Sequence, residues 1–326
     1  MNFELDDDQR AAAAGARDFF TGSASAADAR RALDGGPVTP GRKALADIGF
    51  LGITVPEDAG GAGSNVLDLA VVAEQAGAVL AGPSLVTAAR AAVLLADHPD
   101  LLAALADGST GYAVLDGAAP SIDAAAADTF LALEDGALVL GSGEVTAGTP
   151  MDATRGLASV RLTSRRVLAE GAQALWARAR DVALVALAAE DLGAAGRAVQ
   201  LGVEYAGVRT AFGRQIGSYQ AVKHALVDAW VGVEQLRSLV WWAAWAADSA
   251  PDELPLAAAS AKAFAAETLE RAAETCIQVH GGIGFTWEHD AHLYWRRAKV
   301  DRFLLGDEAE HLDTVAGLVL AGALSR

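Results

Sequence analysis

Apolar residues recur every three to four positions over most of the chain, which predicts amphipathic helices rather than strands. Residues 5–107 carry this helical pattern. Within them, DDDQRAAAAGARDFF opens on acids that suit the positive end of a helix, and SNVLDLAVVAEQAGAVL opens on Ser64 as its N-cap. VPEDAGGAG, residues 55–63, reads as a loop between them. The pattern changes at residues 109–171, where the short runs GYAVLD, TFLALE and ALVLG are separated by Gly, Asp and Ser. Such runs predict strands. Helical spacing then returns, predicting one long helix over 182–208 and a second over 218–248 that ends before Pro251. A third is expected over 253–279 and a shorter one after Asp307. The expected division is an N-terminal helical domain at 1–108, a small strand-containing segment at 109–171 and a C-terminal helical bundle at 172–326. No segment repeats at a fixed period.

With 326 residues the chain can bury a core without disulfides or a structural metal. Its single cysteine, Cys276, has no partner within the chain, which fits a reducing compartment. The start MNFELDDDQR lacks the basic and apolar regions of a signal peptide, and the apolar run VALVALAA stops at Glu190 and Asp191, too short to span a bilayer. A cytoplasmic protein is expected. The formal net charge of −17 disfavours nucleic acid and anionic membrane surfaces as partners. An anionic ligand would need locally placed arginines and backbone N–H groups.

Two stretches carry candidate chemistry. YAGVRTAFGRQIGSYQAVKH ends one helix, turns through Gly213 and Gly217 and restarts at Ser218; alone it reads equally well as a plain helical turn with solvated arginines. QVHGGIGFTWEHD breaks a helix with Gly281 and Gly282. It follows a helix rather than a strand, so it is not a strand–turn–helix dinucleotide fingerprint. Glycines nevertheless let a backbone approach a bulky polar ligand, and turn N–H groups can face pyrophosphate oxygens. His280, His289 and His292 come without a cysteine pair or an H-E-x-x-H, so no metal is expected. Trp230, Trp241, Trp242 and Trp245 read as core or subunit packing.

In order and spacing, these stretches resemble the C-terminal helical domain of the flavin-dependent acyl-CoA dehydrogenases. The pattern is R-x-x-F-G-x-x-I-x-x-x-Q over 209–220, Q-x-x-G-G-x-G-F-x-x-E over 278–288, then R-R-A-K over 296–299. LADIGFLGITVPEDAGGAG extends the likeness, more loosely, into the N-terminal helices. The resemblance implies a mainly α fold with an N-terminal helical domain, a reduced β segment and a C-terminal four-helix bundle. It further implies FAD as cofactor, with Arg209 and Phe212 on the pyrophosphate and adenine side. Gln220 completes the first motif, and Gln278 with Gly281 and Gly282 forms a backbone cradle.

The chemistry done on such a flavin is another matter. Desaturation of a CoA thioester needs a carboxylate to remove the α-proton while hydride leaves the β-carbon. Where the resemblance places that glutamate, before Gly306, this chain has Leu305. Asp307, Glu308 and Glu310 follow as the acidic first turn of the last helix. The family's other location, early in the long helix, falls near Ala183 or Leu184, and Glu190 lies about 10 Å further along at 1.5 Å per residue. Residues 109–171 also lack the T-E-x-x-x-G-S-D-like stretch that wraps a flavin ring.

These departures resemble the short, catalytically incomplete subunit of actinobacterial heterotetrameric steroid-CoA dehydrogenases. That implies an α2β2 assembly in which a full-length acyl-CoA dehydrogenase subunit supplies the base and holds most of the acyl-CoA. No catalytic residue is then expected in this chain. Two alternatives stay open: a self-sufficient homomeric enzyme using Glu190 or Glu308, and a structural scaffold without flavin contact.

Overall fold

A computed structural model describes residues 4–324. The chain begins with helices α1 (Asp7–Ser23), α2 (Ala26–Leu33) and α3 (Arg42–Asp47), then α4 (Val66–Ala78), α5 (Leu85–Leu94) and α6 (Pro99–Ala106). Asp6 caps α1 in a capping box with Gln9, each side chain accepting from the other's backbone N–H. Helix α4 starts one residue later than its sequence suggests. Asn65, not Ser64, is the N-cap, accepting from the Asp68 N–H at 2.9 Å.

The strands β1 (Tyr112–Leu115), β2 (Thr129–Glu134), β3 (Ala137–Ala147) and β4 (Ala158–Ala169) form one sheet in the order β1-β2-β3-β4. The β1–β2 pair is parallel and the other two are antiparallel. The pattern of residues 109–171 announces the first three strands but not β4, whose ASVRLTSRRVLA buries only Ala158 and so shows no apolar alternation.

The C-terminal bundle consists of α7 (Gln173–Val208), α8 (Gln220–Ser249), α9 (Leu254–His280), α10 (Ala291–Asp301) and α11 (Glu308–Leu324). A two-stranded hairpin, β5 (Thr210–Ala211) and β6 (Arg214–Gln215), joins α7 to α8. Helix α7 runs for 36 residues and starts earlier than its continuous apolar run because QALWARARD is rich in the strong helix formers Ala, Leu, Arg and Gln. Ser218 lies in a short 3₁₀ turn rather than opening α8. Of the tryptophans on α8, Trp241 is buried, Trp242 and Trp245 are half-buried, and Trp230 is exposed.

Helices α4 and α7 cross with their backbones in near contact. A Cβ at Gly77 would lie 1.9 Å from the Glu190 carbonyl oxygen, and one at Gly193 would lie 1.7 Å from that of Glu74. Only glycine permits this approach. The crossing seats the N-terminal helices on the bundle around one hydrophobic core running through both. No helix among the described residues is long and apolar enough to cross a membrane.

Candidate functional site

Both motifs end up at the same end of the bundle. Helix α7 stops at Val208, and the Arg209 N–H closes its last turn on the Tyr205 carbonyl at 2.9 Å. The chain then reverses through Phe212 and Gly213, both at positive φ (+52° and +81°), the geometry of a type I′ hairpin turn. Phe212 is strained for a side-chain-bearing residue and is 97% exposed, so the turn presents its ring outward. Arg214 lies over the Tyr219 ring at 3.9 Å, and the Tyr219 hydroxyl donates to the Ala211 carbonyl at 3.1 Å, bracing the hairpin against the start of α8. Gln220 is the exposed first residue of α8. No side chain caps that helix end, which leaves its first N–H groups open to an anion.

The glycine break terminates α9. Gly281 has φ +65° and ψ −144°, a conformation open essentially to glycine alone, and its N–H returns to the carbonyls of Gln278 and Ile277. A Cβ at Gly281 or Gly282 would meet no atom of this chain within 4 Å, whereas one at Gly284 would strike the His280 Cβ at 2.8 Å. Gly284 thus serves internal packing, while Gly281 and Gly282 face open space. The two motifs are joined by Tyr205, whose ring stacks on His280 at 4.3 Å.

Arg209, Phe212, Gln220 and Gln278 are all exposed. Among the described residues, no hydrogen bond or ion pair engages the Arg209 guanidinium. A glycine backbone open to approach, a free guanidinium, an outward aromatic ring and an uncapped helix start suit a ligand that combines an aromatic base with a pyrophosphate.

The histidines nearby have other employment. His280 Nδ1 lies 2.7 Å from the Cys276 carbonyl, and its ring is 4.1 Å from that of His289. His289 accepts from the Ala291 N–H, and His292 from Arg296. Burial pushes both His289 and His292 below the ordinary histidine range. Among the described residues no group of His, Cys, Asp and Glu could hold a metal ion.

At the place where a base would stand, Leu305 has φ +59°, and its carbonyl accepts from Arg180 at 2.8 Å and faces His311 Nε2 at 3.0 Å. Asp307 caps α11 by accepting from the Glu310 N–H, Glu308 pairs with Arg302 at 3.2 Å, and Glu310 pairs with Arg180 at 2.9 Å. Beside Leu305 lies a cavity of about 300 Å³, lined in part by Val86, Arg90, Asp116 and Glu310. Arg90 takes Asp116 with two hydrogen bonds of 2.5 and 2.6 Å. Both lining carboxylates are therefore engaged by arginines.

Glu190 is also engaged. It is 2% exposed and accepts from the Ser84 hydroxyl (2.8 Å), the Leu85 N–H (3.1 Å) and Arg155. Arg155, fully buried, also forks onto Asp301. Arg297 binds Asp152 at 2.5 Å and the Thr154 hydroxyl at 2.6 Å, while Lys262 donates to the Asp301 carbonyl at 2.9 Å. Although burial pushes its carboxyl upward, Arg155 and Arg297 hold Asp301 below the usual carboxylate range. Burial, with repulsion from Asp301, drives Asp191 well above it. Asp191 oxygens find no N–H or O–H donor, which fits a protonated carboxyl donating to Asp301. This buried polar cluster ties the middle segment to α5, α7, α9 and α10. Sequence gives Arg155 no signal, since it sits in a three-residue 3₁₀ turn.

A cleft of about 1030 Å³ runs between α1, α4, α7 and α8 past Arg17, Gln75, Arg197 and Trp230. None of Arg209, Phe212, Gln220, Gln278, Gly281 and Gly282 lines it. Its acids Glu74 and Asp290 are paired with Arg237 and Arg30.

The sequence matches the family described as acyl-CoA dehydrogenase, N-terminal domain, over residues 6–98, and acyl-CoA dehydrogenase, C-terminal domain, over 177–320. It is 38% identical over 273 residues to acyl-CoA dehydrogenase IpdE2 of Mycobacterium tuberculosis, covering 81% of each chain. It is also 38% identical to acyl-CoA dehydrogenase FadE34 of the same organism over 86% of this chain, but over only 42% of that longer protein. Among solved structures, a chain of a Tcur3481-Tcur3483 steroid ACAD variant superposes with a TM-score of 0.84 at 29% identity, covering 97% of this chain and 99% of that one. A chain of the ChsE4-ChsE5 complex from Mycobacterium tuberculosis gives 0.83 at 25% identity, over 98% and 99%.

Proposed function

This chain belongs to the acyl-CoA dehydrogenase family, and on that premise we propose that it is the non-catalytic subunit of a heteromeric acyl-CoA dehydrogenase, clasping FAD for a full-length partner. The observation that carries this reading is a division within the molecule. The face around Arg209, Phe212 and Gly282 is open and its arginine unpaired, while the place for the base holds Leu305.

Bound FAD would supply the hydride acceptor for α,β-desaturation of a CoA thioester. This chain's part is to hold that cofactor. The Arg209 guanidinium donates charge-assisted hydrogen bonds to a pyrophosphate, with the first N–H groups of α8 beside Gln220 adding fixed dipoles of the same sign. The Phe212 ring offers a stacking surface for the adenine. Gly281 and Gly282 let the cofactor lie against the end of α9, where Gln278 is exposed. Abstraction of the α-proton falls to the partner, because Glu190 is locked by Arg155 and Ser84 and Glu308 by Arg302. These same pairings disfavour a self-sufficient enzyme.

Two of the solved relatives are described by pairs of proteins, the ChsE4-ChsE5 complex and the Tcur3481-Tcur3483 steroid ACAD. Their likeness supports an α2β2 assembly and a steroid-derived acyl-CoA, bound mainly by the partner. Co-expression with a full-length dehydrogenase subunit, followed by native mass and flavin stoichiometry, tests the proposal. The pair should retain FAD and the chain alone should be colourless and inactive. A stably yellow, active homo-oligomer would overturn it.

A further inference from the structure

The two halves of the proposed cofactor face are each built locally, and neither builds the other. The hairpin that carries Arg209 and Phe212 is fixed to α7 and α8. The Arg209 carbonyl accepts from the Ile216 N–H at 2.8 Å, and the Tyr219 hydroxyl holds Ala211. A Cβ at Gly217 would stand 2.9 Å from the Ala206 carbonyl oxygen, so the start of α8 also packs closely on the end of α7. The glycine turn is fixed to α9 instead, through the Gly281 N–H and the close approach of Gly284 to His280. None of these contacts spans the gap between hairpin and turn.

Spacing across that gap matters for charge. Helices α7 and α9 both finish here, so two negative helix poles lie beside the place proposed for a pyrophosphate. The phosphates are held only where the Arg209 guanidinium and the glycine backbone reach them together. Binding groups of this kind need placing to about 0.5 Å by neighbours that are themselves locked.

One contact supplies that lock. Gly202, three residues before Tyr205, brings α7 onto α9, where a Cβ would stand 3.8 Å from the Cys276 Cα. Tyr205 and His280 each come about one turn later on their helices. Their rings stack with centroids 4.3 Å apart and planes inclined by 29°. The His280 ring is itself held, because Nδ1 lies 2.7 Å from the Cys276 carbonyl oxygen and the His289 ring is 4.1 Å away. His289 is fixed in turn by the Ala291 N–H, and its neighbour Asp290 by Arg30 of α2. The Tyr205 hydroxyl has no hydrogen-bond partner among the described residues, so the contact belongs to the ring alone.

We infer that Tyr205 and His280 are positioning residues for the cofactor: their stack sets the Arg209 guanidinium and the Gly281–Gly282 backbone at one separation, so that both grip the same pyrophosphate. Each acts through the group on which its helix ends, Tyr205 through Arg209 and His280 through Gly281. The inference rests on the function proposed above.

A double-mutant cycle on the complex co-expressed with a full-length subunit tests it, read as the FAD dissociation constant of the deflavinated heteromer by flavin fluorescence. Tyr205→Leu keeps an apolar side chain but removes the ring. It should weaken FAD binding roughly three- to tenfold, the range of one aromatic pair. Tyr205→Phe should bind as the parent does. In the Arg209→Ala background Tyr205→Leu should add at most about twofold, because the guanidinium it positions is gone. A side chain that only supports the fold would lose the same factor in both backgrounds. His280→Leu enters the same cycle with the same expectation. Parental affinity for Tyr205→Leu, a Tyr205→Phe complex as weak as Tyr205→Leu, or an equal loss in both backgrounds would each overturn the inference and leave the proposed function standing. Failure of both leucine variants to assemble would do the same, by making the stack structural. If no flavin-binding heteromer forms, or Arg209→Ala binds FAD as the parent does, the function proposed above fails and the inference with it.

Discussion

Arg155 holds Glu190 in a fully buried ion pair while the Ser84 hydroxyl and the Leu85 N–H occupy the other carboxylate oxygen. A carboxylate so engaged is a structural anchor, not a proton acceptor awaiting substrate. Glu190→Gln should therefore act on stability. It leaves part of a buried arginine's charge uncompensated, a change that costs about 3 kcal/mol with Asp301 still in place. Denaturant unfolding checks the loss. Turnover per bound flavin in the assembled complex should stay within a fewfold of the parent, as should that of Glu308→Gln. Losing a general base would instead lower kcat by roughly 10²–10⁴-fold.

Arg209→Ala should weaken flavin retention in the complex without lowering the melting temperature of the flavin-free chain. Charge-assisted hydrogen bonds to a pyrophosphate contribute about 1.5–3 kcal/mol, or roughly a ten- to hundredfold change in affinity. Flavin occupancy after extended dialysis reads the effect, and unchanged occupancy would remove Arg209 from the site.

Gly282→Leu separates ligand contact from fold. The new side chain meets nothing of this chain at its Cβ, so circular dichroism and the melting of the flavin-free chain should be unaltered. Flavin occupancy should nevertheless fall, because the side chain fills the space left for the cofactor. A drop in melting temperature with flavin retained would make the glycine structural.

The candidate cofactor face was readable in sequence because its information is local. A hairpin turn, a helix end and a glycine break each leave a signature within a dozen residues, and Arg209, Phe212 and Gly281 stand inside those signatures. What closes the two motifs on each other, the Tyr205–His280 stack, is a contact between helices and leaves no spacing to read. The Arg155 cluster was invisible for the same reason, since its partners come from separate helices. Strand β4 escaped because only Ala158 of it is buried, so the sheet's hydrogen bonds rather than side-chain burial define it.

The α4–α7 crossing offers a paired experiment on one helix. Gly193→Ala forces a Cβ to within 1.7 Å of the Glu74 carbonyl oxygen, so the helices must part, at roughly 1–3 kcal/mol or more. Gly196→Ala, one turn on, meets only the Val233 side chain at 3.9 Å and should stabilise α7 by about 0.4–1 kcal/mol through the unfolded state. Opposite signs in thermal melts are expected. Equal effects would mean that the crossing is looser than described.

Asp123 sets a pH dependence. Burial pushes its carboxyl up to about 7, against the lowering effect of hydrogen bonds from Thr87 and the Ser84 N–H. The folded state therefore holds this proton more tightly than the unfolded chain, whose Asp titrates near 3.8. The sign follows from linkage: the contribution is fully present below about pH 4 and is lost as pH rises through about 7. Asp123 keeps a partial opening to solvent, so the loss is a fraction of what the full shift implies. Asp123→Asn preserves shape, an acceptor for the Ser84 N–H and tolerance of the residue's left-handed φ of +60°. The variant should match the parent near pH 4 and exceed it in stability at pH 8. Parallel stability–pH curves for the two proteins would show that Asp123 is ionised throughout, with the Ser84 and Thr87 donors outweighing burial.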